Sequence, residues 1–227
     1  MNMPLTRRFV LRLSALALLA CASGGTQTAS NPSVIRLPLR FHLLSSSINP
    51  MLTTTRTDED VHELVRVANW EWKQAGIEWY VERVIREESV PSAQFDSALA
   101  GTIPAYEADL ISFVPRRELL SPGWNVFLIR DFGRIAGGMF RPEIEGVVLA
   151  ERGFGFELPP SGRGGATLAH ELGHSLTLGH EPCDSARNLM SNACSAPGVI
   201  SALTPAQIAR AREQALTGRP TLTLPSP

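Results

Sequence analysis

Apolar residues recur along this chain with two different periods, and the switches between them divide it into elements. Residues 34–44 (Val-Ile-Arg-Leu-Pro-Leu-Arg-Phe-His-Leu-Leu) are apolar enough for a first β-strand. Pro38 has no amide to give to a ladder, so an edge position or a bend is expected there. From Thr57 the period lengthens. Val61, Leu64, Val65, Ala68 and Trp72 recur at helical spacing, behind a Thr57 cap and the acidic first turn Asp58-Glu59-Asp60. This helix is expected to end at Gly76, and residues 77–84 read as a second strand. Residues 87–122 match neither period. Residues 124–129 and 146–150 read as buried strands, joined through the glycine-rich stretch 136–140. Residues 153–165, rich in glycine and proline, predict a loop, with a helix from about Ala166. Thr204-Pro205-Ala206-Gln207 places Thr at a cap, Pro at the first helical position and Gln at the third, so a last helix is expected to about Leu216.

The first residues follow another logic. Arg7, Arg8 and Arg12 precede the apolar run 13–20, which is too short to cross a bilayer and has the make-up of an export signal. The run closes as Leu18-Leu19-Ala20-Cys21, which resembles a bacterial lipobox and makes Cys21 the residue to be lipidated. Residues 21–33 are small and polar and read as a tether. The whole chain carries a formal charge of −1; without the three signal arginines, 18 basic residues face 22 acidic ones, a balance of −4. Such a balance argues against a nucleic-acid binder. Export also bears on the other two cysteines, Cys183 and Cys194, favouring a disulfide over free thiols or metal ligands.

The chemistry lies in residues 170–180, His-Glu-Leu-Gly-His-Ser-Leu-Thr-Leu-Gly-His. Two histidines four apart on a helix project from one face, so His170 and His174 can reach a single zinc ion. Glu171, beside the first ligand, is free to face a metal-bound water, whose proton it would take as general base. His180 supplies a third ligand if the chain leaves the helix and turns back. Three protein ligands and one open position make a catalytic site, not a closed structural one. Of the five histidines in the chain, these three fall within eleven positions; His42 and His62 read as ordinary strand and helix residues. Trp70, Trp72 and Trp79 read as packing residues.

The motif resembles that of the metzincin metallopeptidases, H-E-x-x-H-x-x-G-x-x-H followed by a methionine-containing turn. Asn188-Leu189-Met190-Ser191 matches that turn, so the resemblance implies that Met190 packs beneath the three imidazoles. It also implies the fold class: an α/β (α+β) domain with a small twisted mixed sheet, a long N-terminal helix, a zinc-binding helix and a C-terminal helix. In such proteins a substrate-binding edge strand precedes the zinc helix, and residues 136–140 are a candidate for it, a plain glycine hairpin being the alternative. The chain departs from the pattern at Thr177, where the family has glycine, and the turn is expected to shift towards Gly179.

Together these readings give a signal peptide at 1–20, a tether at 21–33, a catalytic domain at 34–216 and a disordered tail at 217–227. The expected protein is an exported periplasmic or surface lipoprotein, a monomer holding one zinc ion and cleaving peptide or protein substrates. Two alternatives stand beside it: a zinc-containing lipoprotein that binds a partner without catalysis, and a zinc amidase acting on cell-wall material.

Overall fold

A computed structural model describes residues 33–182, 187–191 and 201–224. The export signal, Cys21, Cys183, Cys194 and the last three residues therefore lie outside the described residues. No described helix is long and apolar enough to cross a membrane.

The chain alternates between the elements its periodicity predicts. Strand β1 is Ile35–Ser45, followed by helix α1 (Asp58–Trp72) and strand β2 (Ile77–Glu88). A short helix α2 (Ala93–Leu99) precedes β3 (Trp124–Asp131), β4 (Gly138–Arg141), β5 (Gly146–Gly153) and the two-residue β6 (Phe156–Glu157). Helix α3 (Gly165–Ser175) carries the histidine motif, and α4 (Pro205–Leu216) follows. The architecture is the mixed α/β domain expected, with a six-stranded sheet in the order β2-β1-β3-β5-β4 and β6 added to β5. Strands β1, β2, β3 and β5 run parallel, and β4 closes one side antiparallel to β5.

Strand alternation sorts the apolar residues onto two faces. Leu39, Phe41, Val126, Leu128, Val147 and Leu149 face a core shared with α1, α3 and α4. Phe127, Ile129, Val148 and Ala150 face a second cluster completed by Phe95, Leu110, Ile111 and Phe113. This second layer is where residues 87–122 go. Their packing role has no period because few of them belong to a regular element.

Pro38 sits in an interior strand and not at an edge, but the register of β1 on β2 shifts between Leu39 and Arg40, the irregularity that is the other expectation. Pairing of β1 with β3 begins only at Leu39, so at Pro38 the strand has a neighbour on one side alone. The missing amide therefore costs no ladder bond there.

Helix α1 starts with the capping box Thr57/Asp60 and buries Val61, Leu64, Val65, Ala68 and Trp72, the five positions its spacing selects. Trp72 donates its indole N–H to the Ala169 carbonyl at 3.1 Å, which seats α3 on α1. Trp124 of β3 likewise donates to Ser175 Oγ at 2.9 Å. Trp72, Trp79 and Trp124 meet edge to face in this layer, whereas Trp70 is exposed. The chain stays on the domain past α4, where the Thr221 amide donates to the Ser175 carbonyl at 2.9 Å and Thr221 is buried.

Candidate metal centre

His170 and His174 lie one turn apart on α3, on the same face. Thr177 takes φ 69°, the left-handed region. Two backbone bonds close a Schellman turn around it: Thr177 N–H to His174 O, and Leu178 N–H to Gly173 O, each 3.0 Å. The expected shift of this turn towards Gly179 does not occur. Thr177 itself takes the glycine conformation, with its hydroxyl donating to the Leu176 carbonyl at 2.6 Å.

The turn returns the chain so that His180 joins the other two. Nε2 of His174 lies 3.1 Å from Nε2 of His170 and 3.1 Å from Nε2 of His180, and the three ligand atoms all fall within 4.8 Å of one another. Backbone carbonyls take the opposite ring nitrogens. His170 Nδ1 meets Leu189 O at 2.8 Å, and His174 Nδ1 meets Leu178 O at 2.8 Å. Carbonyls only accept, so both Nδ1 atoms carry the proton and both Nε2 atoms present lone pairs. Lone pairs 3.1 Å apart repel unless a proton or cation lies between them.

Protonation is opposed. Burial pushes His170 down and, with the charge of His170 beside it, pushes His174 down to about 4; burial and His170 also lower His180. A metal ion would relieve the repulsion between the two lone pairs. Two nitrogens on a tetrahedral zinc at about 2.05 Å would stand about 3.3 Å apart, close to the spacing seen. The residues fit one such ion.

Glu171 projects towards the sheet. It is buried, and its Oε2 accepts the Phe140 amide at 2.9 Å. Burial pushes its carboxyl up to about 8, with that amide pulling the other way. A cation held by three neutral imidazoles would favour the ionised form. Gly137 O accepts from Ala150 N at 3.0 Å, so alternation turns the N–H and C=O of Gly138 and Phe140 away from β5, towards the free side of β4. A Cβ at Gly138 would lie 3.0 Å from both Glu171 Cγ and Thr167 Cγ2, so glycine lets β4 approach α3 this closely.

Met190 is fully buried. A Cβ on Gly173 would lie 2.4 Å from its sulfur and 3.0 Å from its methyl carbon, so the thioether rests on the backbone of α3 between the two helical histidines. Asn188 Oδ1 holds the Met190 amide at 2.9 Å, and the Met190 carbonyl accepts the Glu181 amide at 2.9 Å.

The structure thus brings together His170, His174, His180, Glu171 and Met190. His42 is apart, buried between Glu87 and Asn125 and stacked on Phe127, and His62 is exposed. The carbonyls of Leu178 and Leu189 and the amide of Phe140 escaped the sequence reading, because a backbone group has no signature of its own. Gly173 offered a signal, a small residue inside the motif.

No family model matches the chain, and no curated protein matches it. Among solved structures it is similar to mirolysin in complex with compound 9, at 14% identity and a TM-score of 0.48, over 79% of this chain and 91% of that one. It is also similar to a chaperone–substrate complex, at 14% identity and a TM-score of 0.41, over 70% of this chain and 28% of that one. At such distances the roles of the residues rest on this chain's own geometry.

Proposed function

We propose that the chain is a zinc-dependent endopeptidase of the metzincin kind, with His170, His174 and His180 as the ligands and Glu171 as general base. The observation that carries this reading is the convergence of three imidazole Nε2 atoms, those of the two helical histidines fixed as lone pairs by carbonyls, beside a buried carboxylate at a sheet edge. Bound there, zinc would supply Lewis acidity, polarising a carbonyl and acidifying a water. Glu171 would take the proton from the attacking water and hand it to the departing amine. The free N–H and C=O of Gly138 and the C=O of Phe140 would hold an extended peptide as an added strand, the mode in which main-chain bonds give affinity. Gly138 would keep that strand next to Glu171.

A zinc protein without catalysis would be favoured by a turn at Thr177 that left His180 away from the other two; the Schellman turn formed there counts against it. The reading extends to an exported monomer anchored through a lipid on Cys21 and stapled by Cys183–Cys194; the mass of the mature N-terminus and of a reduced against an unreduced digest test these two points. The test of function is cleavage of a mixed peptide library by the wild type and by Glu171→Ala, each with its zinc content measured. Cleavage by the wild type alone, with one zinc in both, is expected. Zinc retained in full by His174→Ala would remove the ligand assignment.

A further inference from the structure

The last helix enters the surroundings of the metal centre through one side chain. Gln207 stands at the third position of α4, where its expected role is the capping box with Thr204. Its Oε1 does accept the Thr204 amide at 2.8 Å. The same oxygen also accepts Asn188 Nδ2 at 2.8 Å, while its Nε2 donates to Asn188 Oδ1 and Glu181 Oε1, both at 3.2 Å. Two lone pairs and two N–H bonds are all a primary amide has, so every one is used.

The orientation of both amides follows from backbone donors. The Thr204 N–H requires an oxygen from Gln207, and the Met190 N–H requires an oxygen from Asn188. With those fixed, Gln207 and Asn188 pair reciprocally, and the remaining Gln207 N–H points at Glu181. The residues so joined are not arbitrary. Glu181 directly follows His180, and Asn188 directly precedes Leu189, whose carbonyl holds His170 Nδ1. Gln207 is mostly buried, which shields these bonds from competing water.

We propose that Gln207 is a positioning residue for the metal centre, joining the arm that carries His180 to the turn that orients His170, beyond its part in capping α4. This rests on the reading that the three histidines hold a metal. Outer groups that orient ligands typically change metal affinity about 10- to 100-fold when lost.

Gln207→Glu separates the two roles. A glutamate keeps an oxygen for the Thr204 amide, and is itself a usual capping-box residue. It loses both N–H bonds, to Glu181 Oε1 and to Asn188 Oδ1, and sets two carboxylates side by side. Thr204→Ala does the reverse, removing the cap and leaving the amide pair. Zinc affinity is measured on the metal-free full chain by competition with a chromogenic chelator, beside thermal unfolding of the same metal-free samples. The expected result is a loss of roughly tenfold or more in zinc affinity for Gln207→Glu, with its metal-free melting temperature lowered no more than that of Thr204→Ala. Thr204→Ala is expected to melt earlier and to bind zinc within about twofold of the wild type, no ligand-orienting contact having been removed. Gln207→Glu binding zinc as tightly as the wild type overturns the proposal, as does an equal loss in Thr204→Ala. A wild type that takes up no zinc overturns the metal centre itself, and this inference with it.

Discussion

Replacing Thr177 by glycine should make this protein more stable. Thr177 sits at φ 69° at the end of α3, a conformation that puts its Cβ against the following carbonyl. For an ordinary L-residue that costs about 1–2 kcal/mol, and a β-branched side chain is among the least suited to it. Glycine removes the clash but gives the unfolded chain more freedom, which costs about 0.4–1 kcal/mol. The bond from Thr177 Oγ1 to the Leu176 carbonyl is also lost; its acceptor is a local carbonyl on a half-buried turn, so this offsets the gain only in part. The balance is a gain of about 0.5 kcal/mol, or roughly 1–2 °C in melting temperature for a chain of this size. Thermal unfolding followed by circular dichroism on metal-free protein reads it without the contribution of bound metal. Thr177→Ala is the control, since it keeps the Cβ and should gain less than glycine. A glycine variant no more stable than the wild type would refute the reasoning, and a gain in alanine equal to that in glycine would move the strain from the Cβ to the hydroxyl. Zinc affinity should be unchanged in both, because the Schellman bonds are made by the backbone.

Gly173→Ala should destabilise by about 1–3 kcal/mol, its methyl being forced onto Met190. In urea unfolding, combining it with Met190→Ala should cost less than the sum of the two single changes. Glu151→Ala should cost about 2–3 kcal/mol, since it strips Thr54 and Thr55 of their acceptor and leaves Arg130 without its carboxylate, though Arg130 is exposed enough for water to offset part of that loss. Glu151 also sets a pH response. Burial pushes its carboxyl up, but the bonds from Thr54, Thr55 and Arg130 outweigh this and hold it below its ordinary value of 4.5. A depressed folded value means stability present above pH 4.5 and lost as the pH falls through the folded value, so Glu151→Gln should show a flatter decline in that acid window. Stripping the metal with a chelator should lower the melting temperature, and restoring zinc to a hundred times its dissociation constant should return about 2.7 kcal/mol.

Much of this molecule is legible in its sequence, because much of it is decided between near neighbours. The face of α1, the caps at Thr57 and Thr204 and the spacing of His170 and His174 depend on a helix repeat and on hydrogen bonds reaching three or four residues. Glu171 next to His170 is equally local. Other features depend on partners far along the chain. Pro38 reads as an edge or bend residue, and β1 is interior with a register shift just after it; what spares it is the residue at which β3 begins to pair, more than eighty positions away. Residues 110–114 carry no period because they are placed by the sheet face they cover. The bond between Phe140 and Glu171 exists because β4 turns its outward amide towards α3. The tertiary structure also decided that Leu189 would orient His170 and that Thr177 would accept a conformation proper to glycine. The sequence brings His170 and His174 together because one helix carries both; the turn that returns His180, and the sheet order and packing that fix the imidazole tautomers and the approach of Glu171, come from contacts that no local pattern encodes.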